Sequence, residues 1–149
     1  MTLRRSAIVM AVVLAAALPR LSTGQDGYRF ELKLTTPDAR HDPDGVWSDD
    51  DLAFIRQLGQ SPSIYTARMT TPAGEWLLSQ TNGDCNMQGM CTTLLLLRKA
   101  GTTPVEMANP QLPLGGSATL SLNYKKLFTR ELDQNGNLFD GAYDVAPIQ

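Results

Sequence analysis

Four consecutive leucines, Leu94 to Leu97, lie between Thr92-Thr93 and the basic pair Arg98-Lys99. Successive side chains of a strand point to opposite faces, so an unbroken apolar run needs cover on both sides. Thr92–Lys99 is therefore expected as a central strand, and the chain must supply material for both of its faces. Just before it, EWLLSQT (Glu75–Thr81) reads as a second strand, and GDCNMQGMC (residues 83–91) joins the two at a hairpin tip that holds both cysteines of the chain.

The other segments supply strands and one helix. YRFELKL alternates, with Tyr28, Phe30, Leu32 and Leu34 on one face and Arg29, Glu31 and Lys33 on the other, the period of a half-buried strand. Strands are also expected over Ile64–Met69, Thr119–Tyr124 and, briefly, Val105–Met107. Residues 108–116 form a Pro/Gly-rich connection. WSDDDLAFIRQLGQ predicts a helix with Ser48 as N-cap, Asp49, Asp50 and Asp51 in the first turn and Gly59 as the stop. Leu52, Ile55 and Leu58, flanked by Phe54, form its expected buried stripe. KKLFTRELDQNGNLF suits either a strand turning at Asn135-Gly136 or a short helix ending there. No internal repeat is visible. The fold expected is a single α+β domain, an antiparallel sheet with one short helix packed on one face; an all-β barrel-like sheet is the alternative.

Residues 1–24 have the pattern of a secretory signal peptide. Arg4 and Arg5 precede the apolar run Ala7–Leu18, which is shorter than the about 20 residues a spanning helix needs. Cleavage is expected after Gly24, with Ala17 the second candidate, leaving 25–149 as one exported, periplasmic domain. No cysteine near either site offers a lipid attachment point. Without Arg4, Arg5 and Arg20, ten basic side chains face fifteen acidic ones, a net charge of −5. That balance argues against nucleic acid or an anionic membrane surface and suits a cationic partner. In an oxidising compartment, two cysteines indicate a disulfide rather than a redox or metal pair.

Few residues suggest catalysis. His41, the one histidine, sits in a polar loop between Arg40 and Asp42, where nothing holds its imidazole. Asp42 and Asp44 belong to a DPDG turn and Asp49–Asp51 to a helix start, so this acidic cluster needs no metal. DQNGNLFDGAYD (Asp133–Asp144) begins like a calcium loop, but Leu138 stands where the sharp turn needs glycine and Asp144 where a bidentate glutamate belongs. An Asn-Gly turn accounts for it. Spacing nominates no carboxylate pair for glycosidase chemistry. The expectation is a protein that is not an enzyme, with no cofactor and no metal.

The cysteine loop remains. Joining Cys85 to Cys91 closes a ring so short that its chain-entropy effect is only about 2 kcal/mol. Its local effect is to hold Asn86, Met87, Gln88, Gly89 and Met90 in place before a partner arrives, which lowers the entropy lost on binding. Two methionines exposed on such a tip suit a contact surface. The plain alternative is a staple that only secures a hairpin. The segment WLLSQTNGDCNMQGMCTTLLLLRKAGTTPVEM, Trp76 to Met107, resembles the inhibitor-of-vertebrate-lysozyme (Ivy) family. That resemblance implies a periplasmic protein, an antiparallel sheet with packed helices, and a disulfide-closed loop that enters the lysozyme cleft. The family's loop places four residues between its cysteines and carries a histidine and an aspartate; this one has five and neither. Asn86 and Gln88 would replace a charged donor to the hydrolase's carboxylate with neutral amides.

The expected function is inhibition of a cationic peptidoglycan hydrolase such as lysozyme, or immunity to a hydrolase effector, by loop insertion. The rival expectation is a non-enzymatic exported structural or ligand-binding domain.

Overall fold

A computed structural model describes residues 26–149; the expected signal peptide, residues 1–24, lies outside the described residues. In chain order the elements are β1 (Gly27–Glu31), β2 (Lys33–Thr36), α1 (Asp49–Gln57), β3 (Ile64–Thr71), β4 (Gly74–Cys85) and β5 (Met90–Arg98). They continue with β6 (Val105–Ala108), β7 (Gln111–Pro113), β8 (Ser117–Ser121), β9 (Lys126–Leu132) and β10 (Leu138–Asp144). The fold is a sheet-dominated α+β arrangement. It contains two antiparallel sheets, ordered β1-β8-β9-β10 and β2-β3-β4-β5-β6, with β7 pairing to the near end of β5.

The two sheets bury their main core against each other. Phe30, Ala118, Leu120 and Leu127 from one meet Trp76, Leu78, Leu95 and Leu97 from the other. Trp76 is fully buried and donates its indole N–H to Thr71 Oγ1 at 2.9 Å. Tyr124 stacks on it and on Tyr28, with ring centroids 5.6 and 5.8 Å apart. This corrects the single sheet packed on a helix. Alternation along Tyr28–Leu34 or Thr119–Tyr124 reveals that one face is buried, but a second sheet and a helix satisfy it equally well.

Helix α1 forms a separate, smaller core. Leu52 and Ile55 pack with Ala39, Ile64 and Trp47. Trp47 Nε1 donates to Ser79 Oγ at 2.8 Å. Ser79 alternates with the core-facing Leu78 and Gln80, so this cluster covers the outer face of β4. The N-terminus has the expected cap and more: Ser48 Oγ accepts from Asp51 N–H, and the Asp51 carboxylate accepts from Ser48 N–H, a reciprocal pair. The buried stripe is narrower than expected. Phe54 and Leu58 are 57% and 59% exposed, because only the side of the helix carrying Leu52 and Ile55 reaches the sheet.

Two further expectations change. The Tyr28–Leu34 strand divides at buried Leu32, whose N–H donates to Gly116 O at 3.0 Å. There the chain passes from one sheet to the other, β1 pairing with β8 and β2 with β3, so Leu34 leaves the shared face and is exposed. β8 ends at Ser121; Leu122 is exposed and Tyr124 takes φ +60° in the following turn. The open alternative over residues 125–139 resolves as a hairpin, β9 and β10 in unbroken register from Leu132↔Leu138 to Lys126↔Asp144. The Pro/Gly connection contains β7, a strand too short to announce itself.

Candidate binding site at the disulfide-closed tip

β4 and β5 pair regularly from Glu75↔Arg98 to Gln80↔Thr93, and the next matched pair is Cys85↔Cys91. Between these pairs, Thr81 to Asp84 on β4 face only Thr92 on β5, an irregular bulge larger than the usual two residues against one. The helix side draws this segment away. Asn82 accepts the Ser63 N–H on Oδ1 and donates from Nδ2 to Ser61 O, each at 2.9 Å. Gly83 lies so close to α1 that a Cβ there would stand 2.1 Å from Ile55 Cγ1, so only glycine permits the approach.

On the edge of β5 opposite β4, β7 continues the register of β6, pairing Pro113, Leu112 and Gln111 with Met90, Cys91 and Thr92, so Cys91 is paired on both sides. Gln80 ties β4 to both β5 and the β7 segment. Its buried amide donates from Nε2 to Thr93 Oγ1, Leu112 O and Pro113 O at 3.0–3.2 Å, and accepts Gly115 N–H on Oε1 at 2.9 Å. Among the described residues, every buried side-chain polar atom is hydrogen-bonded.

At the tip the disulfide joins Cys85 to Cys91 with Cα atoms 3.9 Å apart, a position without direct ladder bonds between the two residues. Cys91 is buried and Cys85 exposed, so the bridge ties an outlying arm to an embedded strand. Beyond it, Asn86 organises the turn. Its N–H donates to Met90 O at 2.8 Å, and its carbonyl accepts Gly89 N–H at 3.0 Å. Its Oδ1 accepts the N–H groups of Gln88 and Met90, both at 3.0 Å. Gly89 has φ +80° with nothing near its missing Cβ, a left-handed conformation glycine adopts without strain.

The five expected contact residues therefore have different surroundings. Met87 is 99% exposed and Met90 only 2%, which corrects the pair of exposed methionines: Met90 is already the first residue of β5 and is held between β7 and the turn. Asn86 and Gly89 are exposed and Gln88 half-buried. Asn86 Oδ1 is occupied within the turn by the Gln88 and Met90 N–H groups. The organising role of Asn86 was readable. Asx-x-x-Gly occurs as NMQG at the tip and DQNG at Asp133, and both build a turn.

A hydrogen-bonded series runs inward from the stem. Thr92 Oγ1 donates to Asp84 Oδ2 at 2.7 Å, and Gln111 Nε2 donates to Thr92 Oγ1 at 3.1 Å. Gln111 N–H donates to the Tyr143 hydroxyl at 3.2 Å, and that hydroxyl donates to Glu131 Oε1 at 2.7 Å. Thr129 Oγ1 donates to the other Glu131 oxygen at 2.7 Å. Burial raises the Tyr143 phenol above its usual value; the Gln111 N–H opposes this and the Glu131 carboxylate reinforces it. Sequence reading passed over Glu131, and its position two residues from Thr129 on an alternating strand was the only available signal. Its side-chain partners are the Thr129 and Tyr143 hydroxyls, one on each carboxylate oxygen.

The other sequence candidates are structural. His41 Nδ1 lies 3.0 Å from Asp49 Oδ1 in an exposed loop. Buried Asp42 accepts the N–H groups of Asp44, Val46 and Trp47, while Asp44 pairs with Arg68. Asp133 caps its own turn and Asp144 pairs across the hairpin with Lys126. Asn135 and Asn137 lie in the Asp133 turn, and Leu138 to Asp144 form β10. Among the described residues no three His, Cys, Asp or Glu side chains converge on one point, and no helix is long and apolar enough to cross a membrane. No protein-family model, curated protein or solved structure matches the chain.

Proposed function

We propose that this chain is an exported protein-binding module that blocks a cationic peptidoglycan hydrolase by seating the Cys85–Cys91 tip in the hydrolase's substrate cleft. One observation carries this reading: Met87, fully exposed, stands on a turn already closed by Asn86 and tethered by the disulfide. An unbranched thioether fits irregular apolar pockets, and a turn already closed through the N–H groups of Asn86, Gln88, Gly89 and Met90 loses little entropy on docking. The net charge of −5 over residues 25–149 favours encounter with a basic enzyme, mainly through the association rate. Immunity to a hydrolase effector uses the same geometry.

Met87→Asp is the test. Met87 contributes nothing to the core, so thermal stability should hold while the inhibition constant against vertebrate lysozyme on peptidoglycan rises by roughly tenfold or more, as expected for an anchor worth above about 1.4 kcal/mol. An equally inhibitory variant would place the active surface elsewhere. Absence of inhibition by the parent protein would remove lysozyme as the target.

A second reading, an exported domain for a small apolar ligand, is supported by a cavity of about 360 Å³ beside β6, lined by Leu97, Val105, Met107 and Ile148. Its size lies within the range of small-molecule sites. Ile148→Asp should abolish apolar-ligand uptake there and leave hydrolase inhibition unchanged.

A further inference from the structure

The free edge of β10 differs from the other three sheet edges. β2 and β6 are four residues long, with Lys33 on the first and Pro104 and Pro110 bracketing the second, while β1 has five residues and carries Arg29 and Glu31. Short strands, edge charges and prolines are the usual protection against edge pairing. β10 has seven residues, no lysine, no proline and no break in register, and its two charges, Asp140 and Asp144, lie opposite Arg130 and Lys126 of β9. Among the described residues it pairs only with β9. Leu138 and Phe139 on it are 57% and 45% exposed.

The direction of each backbone group follows from the hydrogen bonds at the two ends of the hairpin. Asp133 N–H donates to Asn137 O and Val145 N–H to Lys125 O. Ladder bonds alternate along an antiparallel pair, so Phe139, Gly141 and Tyr143 bond to β9. The N–H and C=O groups of Leu138, Asp140, Ala142 and Asp144 point to the open edge.

We infer that β10 pairs antiparallel with β10 of a second copy of this chain, about a two-fold axis at Gly141. In that register Asp140 lies opposite Ala142 of the second copy and Leu138 opposite its Asp144. All four outward residues exchange hydrogen bonds. Phe139 meets Tyr143 of the second copy at a close, non-hydrogen-bonded position, where aromatic pairs are favourable. Charge selects this register. Shifting by two residues one way sets Asp140 against Asp140, and the other way sets Asp140 against Asp144, like charges that oppose pairing. Within one chain both carboxylates already face cations: Asp144 pairs with Lys126, and Asp140 lies opposite Arg130. The two four-stranded sheets then become one continuous sheet.

Substitution at Ala142, which is exposed and makes no ladder bond to β9, tests the pairing without touching the core. In sedimentation analysis the parent protein should approach twice its monomer mass as concentration rises. Ala142→Asp sets a carboxylate against Asp140 of the second copy at two symmetric positions and should weaken association by roughly tenfold. Ala142→Lys should strengthen it by a similar factor. A generic edge charge would weaken association in both variants, which would overturn the register. A parent that stays monomeric up to roughly 1 mM, or a dimer indifferent to both substitutions, overturns the pairing itself.

Discussion

The hairpins β4–β5 and β9–β10 end in the same turn. At the tip, Asn86 Oδ1 accepts the N–H groups of Gln88 and Met90, Asn86 N–H donates to Met90 O, and Gly89 N–H returns to Asn86 O. In the other hairpin, Asp133 Oδ1 accepts from Asn135 and Asn137, Asp133 N–H donates to Asn137 O, and Gly136 N–H returns to Asp133 O. Gly89 and Gly136 have φ +80° and +77°. One turn carries a disulfide at its base and the other does not. The disulfide is therefore not what shapes the tip. Below Asp133 the ladder continues without interruption; below Cys85 it is broken as far as Gln80. The Cys85–Cys91 bond stands where β4 has left the ladder toward α1, while the other edge of β5 stays paired with β7.

The largest separation between the two hairpins should come from removing the bridge. Replacing both cysteines by alanine should cost about 2 kcal/mol, and hydrogen exchange should accelerate from Asn82 to Cys85 while the Asn86-held amides of Gln88 and Met90 keep their protection. Collapse of that protection would mean that closure, rather than Asn86, shapes the tip.

A smaller effect should be common to both turns. Gly89→Ala and Gly136→Ala each force a side chain into the left-handed region with no steric neighbour, at a cost of roughly 1–2 kcal/mol. Equal losses in chemical denaturation would confirm that the turns are equivalent. A much smaller loss at Gly89 would show that the disulfide absorbs the strain.

The smallest effect distinguishes the turns by pH. The backbone N–H of Asn137, then that of Asn135, holds the Asp133 carboxyl below its ordinary value of 3.8. A depressed carboxyl contributes stability that is present above the unfolded value and lost as pH falls through the folded one. Acidification below about pH 4 should loosen the Asp133 turn and leave the Asn86 turn intact, since an amide does not titrate. Amide chemical shifts of Asn135 and Asn137 would follow it, and Asp133→Asn should abolish the change.

The parts of the fold that local chemistry dictates were legible. Ser48 and the three aspartates after it specify a helix start, and Leu94–Leu97 specify a strand covered on both sides; both appear as expected. What the sequence did not carry was the identity of the covering layer. Leu32 and Leu34 share an alternation, yet one fills a corner between sheets and the other lies in solvent. Met87 and Met90 are chemically identical, and only the register of β5 against β7 decides which is exposed. The turn at the tip could have been read from NMQG, because an Asx side chain and a glycine three residues later suffice to build it. The break in the stem could not, since it depends on Gly83 meeting Ile55 across tertiary space.

The passage of the chain between sheets at Leu32 has a consequence for the order of assembly. β3, β4 and β5 are joined in sequence as hairpins, and β2 reaches β3 through the segment that carries α1, so the core of that sheet requires mostly local contacts. β1 must wait for β8: Gly27 pairs with Ser121 and Glu31 with Ser117. Pairings this distant in sequence carry a loop-closure cost that is met before any contact compensates it, and they slow folding. The β3–β4–β5 meander is thus positioned to form early, with the outer sheet closing last around the strand nearest the N-terminus. Until that step Phe30 has no core to enter, and the face of Trp76 and Leu78 that Phe30 and Leu120 eventually cover stays open to solvent, to chaperones and to other unfolded chains.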